Sequence, residues 1–474
     1  MVKSLITKIR SLPKGVKASL GYFFASVITS GIAYITTPIY TRLLPSDVFG
    51  HVSVFLTWQQ ILGIIAMFSL QAGVFNNGML QYSDDRDGYT YSMLLLSNTI
   101  TIAFGVLFAI LYPYISSLIR IEPILLCLMM TVFLTQPAYN FWTSRQRYEY
   151  KYKKTVIVTI MSALISPIFA IICIANGKNK LYSRLFGAEI PLILIYMVFY
   201  IYVIVKGRGR LRVSYWKEAL LFNLPLIPHY LSAYLLGSSD KIMISILVGD
   251  TQTAYYSVAH TIAMVVTIVW SAANASLVPF TYEKCKTEDY KSISRTTLPI
   301  LSFFAVACIG IILLAPELLH FMASSEYQQG LYVIPPIIGG VFFQVQYYMY
   351  ANVLYYKKKT LYVMIASVSS AILNILLNYI FIPKYGFIAA GYTTIASYFM
   401  QACIDYFAMK KVMKNSIYNM KYVAFLSFAV VAIALISNIS YGYPFVRFIV
   451  LFILLIIAIL MRNRIIAIFR FKTN

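Results

Sequence analysis

Asp240 and Lys241 are neighbours within residues 222–249, FNLPLIPHYLSAYLLGSSDKIMISILVG, a stretch otherwise apolar enough to cross a bilayer. Ionisable groups are expensive in hydrocarbon unless they line a wet cavity or find partners, so this segment is expected to face the interior of a helical bundle. A lysine there can draw in an anion such as a diphosphate, or it can snorkel towards the interface or pack between helices. An aspartate can take up a proton or a small cation during a conformational cycle, or it can tie two helices together through an ion pair, with Arg42 one such partner. Successive helical residues point about 100° apart, so the two side chains serve different directions.

Other residues inside apolar runs have chemistry to offer. Glu189 and Asp405 are acids within spans 6 and 12, suited to coupling or gating, or to pairing with Arg184 and Lys410 nearby. Arg42 closes the first apolar run beside Asp47 at a Pro45 turn, a place for gating or packing. Asn274, Gln344, Gln346 and Asn352 are candidate substrate contacts, because hydroxyl-rich sugars are held by many amide and aromatic groups. Residues 342–356, FFQVQYYMYANVLYY, supply both kinds. Hydrogen bonds between helices account for such residues equally well. Pro225 and Pro228 remove backbone hydrogen bonds and form a candidate hinge. The five cysteines show no metal-ligand or disulfide spacing, and no GxxxxGK loop is present, so neither a metal, a cofactor nor a catalytic residue is assigned.

The elements that must position these residues follow from composition. The chain has 474 residues, 60% of them hydrophobic and 12% charged, too little polar surface for a soluble globule. At about 20 apolar residues per crossing, an all-α polytopic fold of about fourteen spans is expected: 18–39, 48–70, 91–112, 122–142, 155–175, 184–205, 219–248, 252–280, 296–321, 331–355, 361–382, 386–409, 422–439 and 444–461. The net charge of +23 raises nucleic-acid binding as an option, but 31 of the 39 Lys and Arg fall in alternate loops, which is the positive-inside pattern. Both termini are therefore expected in the cytoplasm, with membrane lipids and no nucleic acid as surroundings. The first apolar run lacks a cleavage site and is expected to stay as a span. Every outer loop is short, which leaves no room for the sizeable loop that a membrane glycan polymerase or ligase would need.

The basic stretch 206–218 divides the chain into a six-span lobe at 1–205 and a second at 219–411, with two extra spans and a basic tail at 412–474. A weak internal match supports this repeat: LLPSDVFGHVSV (43–54) lies over LVGDTQTAYYSV (247–258), with Gly50 on Ala254.

Four segments resemble one transporter family. They are TPIYTRLLPSDVFG (37–50), LPLIPHYLSAYLLGSSDKIMIS (224–245), APELLHFMASSEYQQG (315–330) and NILLNYIFIPKYGFIAAGYTT (374–394), the last being the most specific. Their order and spacing resemble the O-antigen and capsule repeat-unit flippases of the multidrug/oligosaccharidyl-lipid/polysaccharide exporter superfamily. The resemblance implies a V-shaped monomer of two six-helix lobes around a central cavity. It implies alternating access that moves an undecaprenyl-diphosphate-linked oligosaccharide outward across the bacterial cytoplasmic membrane. Glycosyltransferases and a glycan polymerase would be its pathway partners. The lipid II flippases, which the family also resembles, use basic residues in the first helix, and this chain has none between Leu20 and Thr41. A drug/cation antiporter of the same superfamily is the alternative, and it would favour an acidic site and twelve spans. A passive scaffold would have little use for buried charges.

Overall fold

The computed structural model describes residues 14–149, 151–414, 417–454 and 456. Every regular element among the described residues is a helix or a 3₁₀ turn. In chain order the helices are α1 (Lys14–Leu43), α2 (Ser46–Ala66), α3 (Val74–Gln81), α4 (Arg86–Ile119), α5 (Pro123–Tyr148), α6 (Tyr152–Asn176), α7 (Lys180–Gly207), α8 (Ser214–Asn223), α9 (Ile227–Leu247), α10 (Asp250–Lys286), α11 (Tyr290–Leu313), α12 (Ala315–Met322), α13 (Ile334–Tyr356), α14 (Thr360–Tyr385), α15 (Ile388–Met413) and α16 (Met420–Ser440). A shorter apolar helix, α17 (Pro444–Leu454), follows.

Eleven helical stretches among the described residues are long and apolar enough to cross a bilayer, which makes this an all-α, multi-pass membrane protein. Two further expected spans, at 331–355 and 386–409, are present as α13 and α15 but are too polar to pass on hydropathy alone. Most of their amide and hydroxyl side chains are buried against other helices. The expected span at 444–461 begins as α17, and most of its second half lies outside the described residues, as do Lys3, Lys8, Arg10 and the basic tail. The expected span at 296–321 is two helices, α11 and α12, that at 219–248 is α8, a 3₁₀ turn and α9, and α3 adds a short helix between the second and third spans.

One compact unit contains residues up to Leu44 together with Val54–Leu231. Phe68 and Ser69 adopt left-handed backbone angles, φ 54° and 43°, which turn the chain out of α2 towards α3. There Phe75 stacks on Phe141 with ring centroids 4.5 Å apart, in a buried cluster with Tyr89 and Tyr215. The basic segment after α7 meets acids at the start of α4. Arg210 and Arg212 lie 3.8 and 3.4 Å from Asp85, and Trp216 Nε1 donates to the Ser92 carbonyl at 2.8 Å. Arg145 joins Asp87 to Glu149. Burial pushes the Glu149 carboxyl up, but hydrogen bonds from Lys151 and Arg145 outweigh it and hold the group below its usual range. Ion pairs this close to water stabilise little. Their effect is to fix where the linker lies.

The other unit contains Pro45–Ser53 and the chain from Ser232 onward. α13 runs through its centre, buried on nearly every face and packed by α10, α11, α15 and α16. Two tight helical hairpins flank it. Gly249 (φ 142°) turns α9 into α10, and Gly386 (φ 70°) turns α14 into α15, backbone angles that side chains with a Cβ seldom adopt. The start of α2 closes on the start of α10: a Cβ on Gly50 would meet the Asp250 carbonyl.

Candidate functional site

The two hairpins meet around Asp240. α9 places this residue nine positions before the Gly249 turn, and the antiparallel return of α10 brings Tyr256 beside it, where the phenol donates to Asp240 Oδ2. From the second hairpin, Asn378 Nδ2 on α14 lies 2.5 Å from Asp240 Oδ1, and Thr394 Oγ1 on α15 lies 2.9 Å from Oδ2. Behind these, Asn378 Nδ2 is 3.1 Å from Asn374 Oδ1, Ser239 Oγ is 3.2 Å from the same atom, and Thr393 donates to Asn378 Oδ1. Asp240 is 1% exposed, and Asn374 and Asn378 are wholly buried. Every donor to the carboxylate is neutral, and Asp240 enters no ion pair among the described residues.

The hydroxyl of Thr394 gives this cluster two states. Its oxygen is 2.9 Å from Asp240 and 2.8 Å from the Ala390 carbonyl, yet it carries a single proton. An ionised Asp240 claims that proton. A protonated Asp240 donates to Thr394 instead and releases the threonine proton to Ala390. Thr394 can thus serve either protonation state of the carboxyl.

A cavity of about 170 Å³ opens beside the carboxylate, with Tyr234, His260, Gln344, Thr394 and Tyr398 among its lining residues. His260 Nε2 lies 3.1 Å from the Gly237 carbonyl, and Gln344 Nε2 donates to Tyr398 at 3.2 Å. No cluster of three or more His, Cys, Asp or Glu able to hold a metal occurs among the described residues. One carboxylate with amide and hydroxyl oxygens is a donor set for a proton or a small hard monovalent cation.

The remaining sequence candidates fall in several places. Lys241 follows Asp240 on α9, half-buried, and its ammonium forms no ion pair among the described residues. Asn274 and Asn352 bond to each other at 2.8 Å across α10 and α13. Gln346 donates to Ser427 on α16 at 2.9 Å, so of the two glutamines only Gln344 lines the Asp240 cavity. Asp405 is wholly buried on α15 and neither carboxyl oxygen has a hydrogen-bond partner among the described residues, while Lys410 on the same helix is exposed. Glu189 accepts from Gln59 Nε2 at 3.3 Å, and the Arg184 guanidinium lies 4.2 Å over the Tyr40 ring. Arg42 donates to the Pro38 carbonyl of its own helix at 2.8 Å, and Asp47 sits exposed in the first turn of α2. Pro225 lies in the 3₁₀ turn Leu224–Leu226 that separates α8 from α9, and Pro228 is in the first turn of α9.

Sequence reasoning did not single out Tyr256, Asn374, Asn378, Thr393 or Thr394. The available signal was Asn374 and Asn378 at i,i+4 in an apolar helix, one polar face inside a span.

The fold as a whole is similar to that of solved membrane transporters. The lipid II flippase MurJ in an inward closed conformation superposes with a TM-score of 0.68 at 15% identity, covering 95% of this chain and 100% of that one. An inward-facing multidrug resistance MATE family transporter of the MOP superfamily gives 0.60 at 12% identity, covering 82% and 99%. The fold is therefore that of the MOP superfamily transporters, as the sequence motifs implied. The polysaccharide biosynthesis protein family matches residues 16–283, and the chain belongs to that family. The MatE family matches 225–380, the part that holds most of the Asp240 cluster. A protein of the Lsg locus of Haemophilus influenzae (strain Rd) is 21% identical over 373 residues, which span 76% of this chain and 89% of that protein.

Proposed function

We propose that this protein is a flippase. It moves an undecaprenyl-diphosphate-linked oligosaccharide repeat unit outward across a bacterial cytoplasmic membrane by alternating access, for surface polysaccharide assembly. Membership of the polysaccharide biosynthesis family and the fold of MOP transporters support this reading. The observation that carries it is Lys241, a cation within a membrane-spanning helix that forms no ion pair among the described residues. The desolvation cost of a diphosphate in hydrocarbon falls when it meets such a charge in a hydrated site. Asp240 is the coupling carboxyl, switched by a proton or a small cation. With the cell interior negative, each substrate charge moved outward gains about 2.3 kcal/mol per 100 mV. Both termini face the cytoplasm, the protein works as a monomer, and glycosyltransferases and a glycan polymerase act before and after it.

The second reading, a drug/cation antiporter, draws on the MatE match over 225–380. A cationic drug would be repelled by Lys241, which favours the first reading. The deciding experiment is Lys241→Ala in cells that display a surface glycan. Glycan at the surface is expected to fall and lipid-linked repeat units to accumulate, with membrane abundance unchanged and Lys241→Arg retaining export. Full export by Lys241→Ala would refute the role of this lysine.

A further inference from the structure

α14 and α15 are antiparallel partners, and the faces they turn to each other are polar along most of their length. On α14 the series is Ser367, Ser370, Asn374 and Asn378, and on α15 it is Thr394, Ser397, Gln401 and Asp405, each with helical 3,4,4 spacing. All eight are at most 4% exposed. Thr393 bonds to Asn378 near the Gly386 turn, and Gln401 Nε2 donates to Ser367 Oγ at 3.2 Å near the other end, so the two series run in register. Eleven residues separate Thr394 from Asp405, about 16 Å along the helix. Asp240 closes one end of this seam and Asp405 the other.

The seam also gathers unmet polar atoms. Ser370 Oγ, Gln401 Oε1 and both carboxyl oxygens of Asp405 are buried without a hydrogen-bond partner among the described residues. Such atoms are costly when left bare and are ordinarily satisfied by ordered water. Polar rungs of this kind, placed between two carboxyl groups, are what a chain of water molecules requires.

We propose that the α14–α15 interface is a hydrated proton path joining Asp240 to Asp405, with Asp405 its second protonatable terminus. This rests on the reading of Asp240 as the coupling carboxyl and names the coupling ion as the proton. A proton bound at one carboxylate passes on as O–H bonds of water and of the Ser370 and Ser397 hydroxyls break and form in turn, and it ends on the other carboxylate with no electron transferred. Asn374 and Gln401 orient the water and do not relay. The titratable groups facing the Asp240 end are Tyr234 and the adjacent Lys241 on α9, Tyr256 and His260 on α10 and Tyr398 on α15. α14 brings no titratable side chain to the seam. Beside Asp405, Tyr406 on its own helix lies 5.6 Å from Tyr350 of α13, ring to ring.

The test uses the full-length protein in liposomes of phosphatidylethanolamine and phosphatidylglycerol. Infrared difference spectra are taken as the medium is stepped from alkaline to acid, so no glycan cargo is needed. Two carboxyl signals are expected, one lost in Asp240→Asn and the other in Asp405→Asn. Proton uptake followed by a pH-sensitive dye is expected to slow about tenfold in Ser370→Ala/Gln401→Leu, the equivalent of about 1.4 kcal/mol in barrier, while that variant keeps both carboxyl signals and so reports its own folding. An Asp405 carboxyl that does not change across the range, or seam variants with unaltered uptake, would overturn the path. Normal glycan export by Asp240→Asn, with the Asp405 signal intact, would instead remove the coupling role of Asp240.

Discussion

Asn378 donates from Nδ2 to Asp240 Oδ1 at 2.5 Å, so a neutral amide holds a carboxylate that is 1% exposed and forms no ion pair among the described residues. Replacing Asn378 by Leu removes that donor and leaves a buried acceptor unmet, a loss of about 1–3 kcal/mol. Thermal unfolding in detergent is expected to show Asn378→Leu less stable than wild type by that amount. Wild-type stability in Asn378→Leu would mean that the bond contributes nothing.

Gly50 allows the first turns of α2 to close on α10. A Cβ there would collide with the Asp250 carbonyl, whereas at Gly31 a Cβ meets nothing within 4 Å. Gly50→Ala is expected to cost about 1–3 kcal/mol, and Gly31→Ala to be neutral or slightly stabilising. The comparison of unfolding midpoints checks both, and equal midpoints would count against the close approach.

Glu317 and Arg447 predict an acid-side effect. Burial pushes the Glu317 carboxyl up, but two hydrogen bonds of 2.9 Å from Arg447 and its charge prevail and hold the group below its ordinary 4.5. A depressed carboxyl contributes stability above its unfolded value and loses it as pH falls through the folded one. Unfolding temperature is therefore expected to decline in the acid range, with a shallower decline in Glu317→Gln. Parallel curves for the two proteins would refute this.

Topology is open to labelling in a cysteine-free background. Lys178 and Lys357 are exposed and lie on opposite sides in the proposed orientation. Lys178→Cys is expected to react with an impermeant maleimide added to whole cells, and Lys357→Cys only after the membrane is opened. Reaction of both in whole cells would reject the proposed orientation.

Much of the fold is legible in the sequence because bilayer thickness fixes how long an apolar run must be. Each of the fourteen expected spans has a helix at its place. What hydropathy does not reveal is where a run breaks. Pro225 ends one helix and Pro228 opens the next, and the α11–α12 boundary at Leu314 carries no strong apolar interruption. Asp240 stands out in the sequence because a charge in a span is rare. Its partners do not, since Asn and Thr are tolerated in spans for many reasons and only their common face marks them. The direction in which a polar residue points is a property of the packed bundle. For that reason Asn274 meets Asn352, and Gln346 meets Ser427, where residue type alone left a sugar contact equally open.

The polarity of α13 and α15 bears on how the protein is made. A segment this rich in amides and hydroxyls gains little from entering lipid by itself. For α15 the partners come from helices synthesised earlier, Asp240 for Thr394 and Ser367 for Gln401, whereas α13 has Asn274 before it and Tyr398 and Ser427 after it. α15 therefore has to be handed to neighbours that are already assembled, whereas α13 must wait for helices that follow it, and a nascent chain lacking α9 should leave α15 stranded at the membrane surface.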